Sequence, residues 1–370
     1  MGKKEDSYSG LFFRFLKFGF LAFGGPIAQI SLMREELVEK EKWMDPNTFS
    51  KVLSVYQLLP GPEATELAVH FGYLRKGRLG SVISGLGFIL PGFFIMLIIS
   101  FLYHAYGASF EWANALLYGI KAAAMAMIIW AIYRISMASI KTRLHLLLSS
   151  IAFFSTLFFD VSFAILIFMA VFAAFLFGDR RLFAILPLGA YPMAKSKLFL
   201  IFMLSLEAGL LTFGGAYTSI PFLEKGAVVE NGWLSPQQFL DGVGFVNTVP
   251  TPLIMLGTFV GYLAGGFWAA VISTIGIFLP AFCFTLFGYN KILSVLDNQK
   301  LQFSIGCVTA SVIGLIGASS VRLFPSAVPD YRALLIMLLC AYSLWHRKLS
   351  PAYLIIVSSI IGFVLISIGL

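Results

Sequence analysis

The chain has 370 residues, of which 59% are hydrophobic and only 12% are charged. A soluble protein carries about 25% charged residues because its surface faces water, so this composition disfavours a soluble enzyme, a nucleic-acid-binding protein and a disordered scaffold. It predicts an all-α membrane protein that crosses the bilayer several times. The net charge of +8 is then explained by Lys and Arg in cytoplasmic loops.

The residue types that bind metals are scattered. Cys283, Cys307 and Cys340 lie in apolar stretches without a Cys-x-x-Cys pair, and the four His residues are not clustered. We therefore expect no metal site and no cofactor, and we interpret the cysteines as buried packing residues.

In chain order, the first element is a front part, residues 8–75, whose apolar runs are interrupted at short intervals. A membrane-spanning helix needs about 20 apolar residues, whereas the run at 12–23 is shorter and meets a glycine pair. A charged amphipathic segment at 33–40 separates the two breaks of this part. The breaks are Gly24-Gly25-Pro26 and Pro60-Gly61-Pro62.

The back part that follows consists of ordinary apolar segments. We predict membrane-spanning helices at residues 80–103, 111–133, 144–158 and 161–177. The last two are short for a full span, so we expect them to be tilted or to end in polar residues at the membrane boundary.

The same pattern occurs a second time, about 190 residues later. The matches are Leu21-Ala22-Phe23-Gly24-Gly25 with Leu211-Thr212-Phe213-Gly214-Gly215, Trp43 with Trp233, Pro60 with Pro250, and Pro62 with Pro252. After a one-residue gap, the stretch 87–91 matches 276–280. We predict a fused duplication with repeats at 1–190 and 191–370.

Lys and Arg are distributed differently in the two copies. The basic turn at 75–78 corresponds to the uncharged 264–267, whereas the loop at 104–111, which has no Lys or Arg, corresponds to a loop with Lys291 and Lys300. Because cytoplasmic loops collect Lys and Arg, the two repeats are predicted to have inverted topologies.

A parity argument gives the predicted topology. If the basic stretches at 75–78, 134–143, 178–181 and 195–197 are all cytoplasmic, inversion requires an odd number of crossings in each front part. The simplest count is one net crossing plus a re-entrant pair of half-helices. This gives about 10 crossings overall, with both termini outside.

The broken helices are the candidate substrate site. A helix interrupted by Gly and Pro leaves free N–H groups, and the N-terminus of a half-helix carries a partial positive charge. Inside a bilayer such backbone is tolerated where it lines a cavity or is buried in protein, and an anion is its natural partner. The alternative is that the breaks are only kinks or tight helix contacts.

Polar side chains lie beside the breaks. Gln57, Asn247, Thr248 and Thr251 are uncharged groups that can coordinate an oxyanion without trapping it. For each of them taken singly, a hydrogen bond that packs helices together is an equal alternative.

Ionisable groups also occur within the spans. Lys121 lies in the middle of one span, where a lysine is a functional hypothesis by default; it would neutralise a dianion, or it pairs with Glu63, Glu66 or Glu207. Glu63, Glu66 and His70 share one helical face, and a proton path along them is a further hypothesis. Arg34, Glu35 and Glu36, with Glu224 and Lys225 opposite, are interpreted as an interfacial amphipathic face.

These residues resemble the signature of the chromate ion transporter family. The resembling positions are Phe23-Gly24-Gly25-Pro26, Trp43, Leu59-Pro60-Gly61-Pro62, Gly72, Gly77 and Leu90-Pro91, and in the second copy Phe213-Gly214-Gly215, Glu224, Gly232-Trp233 and Phe278-Leu279-Pro280. The match covers both halves, as in a long-chain, two-domain member. The resemblance implies export of chromate, a tetrahedral dianion, driven by the proton motive force or by anion exchange.

Three positions depart from the family pattern. Gln29 stands where the family often has His, Thr251 lies inside the second Pro-Gly-Pro, and Ala216 replaces the Pro of the second Phe-Gly-Gly-Pro. These changes leave the scaffold intact, but Gln29 and Thr251 would alter what contacts the substrate. Sulfate or another oxyanion therefore stays open beside chromate.

The sequence and the resemblance together predict a multi-pass secondary transporter of the plasma membrane, and no enzyme. Its expected partners are the oxyanion, the lipid bilayer and, as a candidate, a second copy in a homodimer. A passive anion channel and a structural subunit without transport of its own are the alternatives. The predicted substrate-binding residues are Gly24, Gly25, Pro26, Gln29, Gln57, Pro60, Gly61, Pro62, Lys121, Gly214, Gly215, Asn247, Thr248, Pro250, Thr251 and Pro252.

Overall fold

The computed structural model is helical throughout the residues that it describes, and it has no strand among them. Four helices are long and apolar enough to cross a membrane, and three shorter ones are also apolar. The predicted class, a multi-pass helical membrane protein, is confirmed. The described residues are 7–21, 25–57, 59, 61–107, 111–159, 161, 165, 169, 196–212, 216–289, 298–347 and 349–368.

The first half contains six described helices. They are α1 (Tyr8–Leu21), α2 (Gly25–Met33, continued by a π-helical segment Arg34–Lys40), α3 (Pro46–Tyr56), α4 (Glu63–Tyr106), α5 (Glu111–Ser139) and α6 (Arg143–Phe159).

The second half has the same order of elements. They are α7 (Lys197–Leu210), a 3₁₀ turn (Ala216–Ser219), α8 (Ile220–Glu224, continued by the π-helical Lys225–Glu230), α9 (Pro236–Thr248), a 3₁₀ turn (Leu253–Met255), α10 (Leu256–Gly288), α11 (Gln299–Ala327), α12 (Tyr331–Tyr342, continued by the π-helical Ser343–Arg347) and α13 (Pro351–Ser367).

Two of the long helices are in fact helical hairpins. The backbone of α4 reverses at Lys76 and Gly77, where Gly77 has a φ of 61°, and α10 reverses at Gly265 and Gly266, where Gly266 has a φ of 76°. Glycine adopts such positive φ values without the clash that a Cβ atom would cause. Each hairpin therefore has a short first arm (63–75 or 256–264) and a long second arm (78–106 or 267–288).

Equivalent contacts hold the arms together in both copies. The Ser84 hydroxyl donates to the Ala68 carbonyl at 2.8 Å, and the Ser273 hydroxyl donates to the Gly257 carbonyl at 2.6 Å. The arms approach this closely because small residues face each other: a Cβ atom on Gly72 would lie 2.4 Å from the Gly80 carbonyl oxygen.

The first helix of each half, α1 or α7, also packs on the long arm of the hairpin in the same way in both copies. A Cβ atom on Gly19 would meet the Phe88 carbonyl at 2.5 Å, and one on Gly209 would meet the Ile277 carbonyl at 2.3 Å. The positions of these contacts follow the offset that the sequence comparison predicts.

The two hairpin turns lie at opposite ends of the helix bundle. Tyr73, next to the first turn, stacks on Tyr289 at the end of the second long arm, with ring centres 4.0 Å apart. Conversely, His104 near the end of the first long arm lies 6.2 Å from Tyr262, next to the second turn. The two hairpins are therefore antiparallel to each other.

In the first half, the chain between α1 and residue 75 twice runs into the bundle and back to the end where α1 begins. Lys76 Nζ lies 5.8 Å from the ring centre of Tyr8, where α1 begins. The Trp43 ring lies between Arg14 and Arg75, whose guanidinium carbons are 5.2 and 4.6 Å from its centre. The segments from α1 to residue 40 and from α3 to residue 75 thus form two re-entrant hairpins.

This arrangement of the first front part does not bear out the predicted number of crossings. Two re-entrant hairpins make no net crossing, whereas one net crossing in each front part was predicted, so the count of ten is not supported. Lys197 was predicted on the same side as the turn at 75–78. Its Nζ lies 5.9 Å from the ring centre of Trp233, which packs with Ala264 beside the other turn, so it lies at the opposite end.

The first and last described helices extend toward opposite ends of the bundle. The beginning of α1 lies beside the first hairpin turn, whereas Gly362 in α13 packs on Ala115 and Gly119 near the beginning of α5. Since α5 begins at the end opposite that turn, the beginning of α1 and the end of α13 lie at opposite ends of the bundle. The prediction of two outside termini concerns residues 1–6 and 369–370, which lie outside the described residues, and it stays a prediction.

Candidate substrate site between the helix breaks

The helix breaks of the two halves meet in the interior. The backbone N–H of Gly61, in the first Pro-Gly-Pro, donates a 2.8 Å hydrogen bond to the carbonyl of Thr212, which directly precedes the second Phe-Gly-Gly. Gly61 has a φ of 148°, a backbone conformation open to glycine. This bond joins one break from each copy.

A cavity lies at this junction. It is lined by residues that flank all four breaks, namely Gln29, Pro62, Glu63, Ala64, Ala216, Pro252 and Leu253. Inverted repeats of known transporters bind their substrates between discontinuous helices in this way. The structure thus brings together four of the predicted positions: Gln29, Pro62, Glu63 and Pro252.

Gln29 is the most informative residue of the cavity. Its side chain is 1% exposed, and neither amide atom has a hydrogen-bond partner among the described residues. A buried amide without partners is rare in native proteins, because each unmade bond costs about 1–3 kcal/mol. Gln29 therefore leaves both polar atoms of its amide unbonded, among the described residues, in the wall of the cavity.

The first arm of α4 begins at this cavity. Thr65 and Glu66 donate their N–H groups to the Pro62 carbonyl, so the N–H groups of Glu63 and Ala64 precede the first bonds within the helix. Because Glu63 and Ala64 line the cavity, the partial positive charge of this helix end is directed to it.

The three predicted proton-coupling residues lie along this arm. Glu63 lines the cavity. Glu66 is fully buried, and neither carboxyl oxygen has a hydrogen-bond partner in the described part of the chain. His70 Nδ1 is 2.9 Å from the hydroxyl of Tyr56, a residue that sequence reasoning missed.

The polar side chains beside the second break donate hydrogen bonds to nearby backbone carbonyls of the same segment. Asn247 donates to the Val243 carbonyl and accepts from the Tyr217 hydroxyl, each within 3 Å. Thr248 donates to the Gly244 carbonyl, and Thr251 to the Val246 carbonyl. For these residues the alternative of packing hydrogen bonds is favoured. Gln57, predicted beside the first break, has an exposed side chain at the end of α3.

Lys121 does not line the cavity. Its Nζ lies 3.7 Å from Oδ1 of Asp241, and the Tyr103 hydroxyl donates to Oδ2 of the same carboxylate at 2.7 Å. The predicted alternative partners Glu63, Glu66 and Glu207 were wrong. Asp241 was missed, although an acidic residue within the apolar stretch 239–246 is a signal that the sequence carries.

The predicted interfacial face holds in only one copy. Arg34 and Glu35 are exposed, but Glu224 and Lys225 are 2% and 4% exposed. Glu224 accepts hydrogen bonds from Arg322 and Ser319, so the interpretation of Glu224 and Lys225 as surface residues was wrong.

Several predicted positions are described incompletely. Gly25 and Pro26 begin α2, and Pro250 follows α9 and is buried. Gly24, Pro60, Gly214 and Gly215 lie outside the described residues.

In the part of the chain that the structure describes, no group of three or more His, Cys, Asp or Glu side chains could hold a metal ion. A helical membrane protein whose broken helices meet at a small cavity, with Gln29 and Glu63 in its wall, has an architecture typical of secondary transporters.

The family follows from sequence comparison. The model of the chromate transporter family matches residues 9–176 and 198–363, so the chain belongs to the chromate transporter family, a family of membrane transporters. Both copies of the duplicated pattern fall within the match.

Individual relatives extend over nearly the whole chain. A protein named chromate transport protein from Pseudomonas aeruginosa is 40% identical over 96% of this chain and 92% of its own length. A probable chromate transport protein from Synechococcus elongatus is 31% identical over 95% of this chain and 93% of its own. An uncharacterised transporter from Methanocaldococcus jannaschii is 27% identical over 98% and 96%. No solved structure matches the chain.

Proposed function

We propose that the protein is a secondary transporter that exports a tetrahedral oxyanion, chromate first and sulfate second, through the cavity between the helix breaks. The observation that carries the proposal is the cavity itself, in which residues of both copies surround Gln29, whose amide has no hydrogen-bond partner in the described part of the chain. The names of the relatives from P. aeruginosa and S. elongatus support chromate.

The binding groups in this proposal are backbone amides and uncharged side chains. The N–H groups at Glu63 and Ala64 and the Gln29 amide supply donors, while Pro62 and Pro252 keep the adjoining backbone out of regular helix. Oxyanions bind well to helix N-termini. An uncharged donor set suits a transporter, because the substrate must also be released.

The inverted topology is part of the proposal. It is supported by the two hairpin turns at opposite ends of the bundle. The end with the first turn also collects Arg14, Arg75 and Lys76, so by the positive-inside rule it is the cytoplasmic end. The plasma membrane is the proposed location, and a homodimer the proposed assembly.

Energy coupling through the first arm of α4 is proposed on electrostatic grounds. A dianion in the cavity would be repelled by ionised carboxylates of Glu63 and Glu66, in a medium that screens charge poorly. Binding of the anion therefore favours protonation of these groups, and His70 with Tyr56 continues the polar path toward the cytoplasmic end. Anion exchange is the alternative source of energy, and a passive channel the alternative function.

The test is flux of radiolabelled chromate and sulfate in proteoliposomes with an imposed pH gradient. We expect accumulation against the anion gradient, which a passive channel would not produce. Gln29→Leu should reduce uptake at least tenfold, whereas Thr156→Val, which also removes a buried unpartnered polar atom but lies in α6, should leave it unchanged. Absence of flux of both ions in both directions would contradict the proposal.

A further inference from the structure

A second buried ionisable cluster lies outside the cavity and joins the two copies. Asp241 belongs to α9 of the second half, and its side chain is 4% exposed. Lys121 on α5 and Tyr103 on α4 belong to the first half, and they contact Asp241 at 3.7 and 2.7 Å. The charge of a buried carboxylate is thus balanced across the interface between the repeats.

This cluster lies toward the end of the bundle opposite the basic turn. Tyr103 is close to the end of the long arm of α4 and packs on Phe259, with ring centres 5.4 Å apart. Asp241 lies in the second turn of α9, which begins at Pro236 on the side of the second hairpin turn. In the proposed topology, the cluster is between the cavity and the outside.

The hydrogen bonds of Asp241 differ from those of Glu224, another buried carboxylate that forms an ion pair. Glu224 is paired within one repeat and accepts from both Arg322 Nη2 and Ser319 Oγ at 2.9 and 3.0 Å. Asp241 Oδ1 has no hydrogen-bond partner among the described residues, because Lys121 Nζ is beyond hydrogen-bond distance. A partly satisfied pair is weaker than a fully bonded one, which suits a contact that must separate.

The helix that carries Asp241 leads directly to the cavity. One turn after Asp241, Gly244 packs so closely on α5 that a Cβ atom would lie 1.9 Å from Ile120 Cγ2. The helix ends at Thr248, and Pro252 four residues later lines the cavity. Separation of α9 from α5 would therefore move the second break and open the cavity toward this end.

We propose that the Lys121–Asp241–Tyr103 cluster is the outer gate of the transporter: it is closed in this structure and breaks in each transport cycle. The inference rests on the proposed function, since a gate requires a transported substrate. Lys121 then acts on transport by pairing with the other repeat, and the substrate contacts the cavity residues.

The first test replaces the pair by leucines at both positions, Lys121→Leu with Asp241→Leu. Replacement of a buried ion pair by apolar residues is often neutral or stabilising for the fold, so thermal stability should be retained. We expect stabilisation by added chromate or sulfate to persist, while accumulation against a gradient falls at least tenfold. The matched control is Glu224→Leu with Arg322→Leu, a buried pair within one repeat, which should retain accumulation within about twofold.

The second test reverses the charges and keeps the attraction. Asp241→Lys alone places two cations together and should abolish accumulation, whereas the double variant Lys121→Asp with Asp241→Lys should restore a substantial part of it. A folded leucine pair that accumulates anion like the wild type would overturn the gate, as would a folded charge swap that does no better than the single reversal. If the wild type itself neither binds nor moves either ion, the proposed function fails instead.

Discussion

The first arms of the two hairpins share one backbone design and carry opposite chemistry. Both begin at a proline-containing break and end at a positive-φ glycine. The first arm carries Glu63, Glu66 and His70 where the second carries Leu253, Leu256 and Phe259, all three fully or nearly buried. The two copies therefore share the backbone break, whereas the side chains along the arm that follows it differ. Within these first arms, acidic and histidine side chains occur in only one copy.

The largest expected effect is on protein stability, at the close contact between the two arms that both hairpins have. Gly72→Val and Gly261→Val should each destabilise the protein by about 3 kcal/mol, because a side chain at either position meets the backbone of the second arm, at 2.4 or 2.6 Å from a carbonyl oxygen. Thermal unfolding of the purified protein in detergent measures this effect.

Gly288→Ala is the matched control, since a Cβ atom there meets nothing within 4 Å. Alanine also favours helix by about 1 kcal/mol over glycine, so this variant should be neutral or slightly more stable. A strong loss in only one of the two valine variants would show that the hairpins are not equivalent.

The next largest effect is expected on pH-driven uptake, at Glu66, which has no acidic counterpart in the second copy. Glu66→Gln keeps the shape of the side chain but removes its ability to exchange a proton, so uptake driven by a pH gradient should fall about tenfold or more. Leu256→Met, at the matching position of the second copy, should leave it unchanged. Undiminished pH-driven uptake by Glu66→Gln in proteoliposomes would exclude Glu66 from proton coupling.

A smaller effect is expected where the first arm meets α3. His70→Phe introduces the residue of the second copy and leaves the buried Tyr56 hydroxyl without its 2.9 Å partner, at a cost of about 1–3 kcal/mol. Adding Tyr56→Phe should recover most of that loss. If thermal unfolding shows equal losses for His70→Phe with and without Tyr56→Phe, this hydrogen bond does not carry the cost.

The smallest effect distinguishes the helix caps of the two copies. Asp45 caps α3 by accepting from the N–H groups of Asn47 and Thr48, and Ser235 caps α9 at the matching position. The hydrogen bonds to Thr48 hold the pKa of Asp45 below its usual range. A lowered pKa means that the ionised cap stabilises the fold above the usual carboxyl range, and that this contribution fades as the pH falls through the lowered value.

Asp45→Ala and Ser235→Ala should each lower the Tm slightly, by a few degrees at most. The difference between wild type and Asp45→Ala should shrink below about pH 4, whereas the difference for Ser235→Ala should not depend on pH. Equal pH dependence of both variants, measured by thermal unfolding, would contradict the assignment of the Asp45 carboxylate as the cap.

Sequence reasoning located the broken helices because Gly and Pro act locally. Pro62 and Pro252 have no N–H group and a restricted φ wherever they occur, so their effect on the helix does not depend on distant residues. Gln29 entered the predicted site only through the family resemblance, and the cavity gives that position a physical role. Tyr56 and Tyr103 carry no signal that distinguishes them from ordinary membrane tyrosines.

The failed predictions all concerned relations between distant segments. Lys121 found Asp241 instead of Glu63, Glu66 or Glu207 because α5 packs on α9, a contact between the two repeats that no local pattern encodes. The parity argument failed for a similar reason. Charges in loops report which ends share a side, but not whether a short helix crosses the bilayer or folds back.

The sequence by itself determined that this is a membrane protein, that its pattern occurs twice and where its helices break. These properties follow from apolar excess, from a repeated register and from the backbone limits of Gly and Pro, all of which are present in the unfolded chain. The tertiary structure decided which breaks meet, which charges are balanced and at which end of the bundle each hairpin turn lies. Those properties depend on close helix packing between residues that are tens to more than a hundred positions apart in the chain, and they exist only once the helices are assembled.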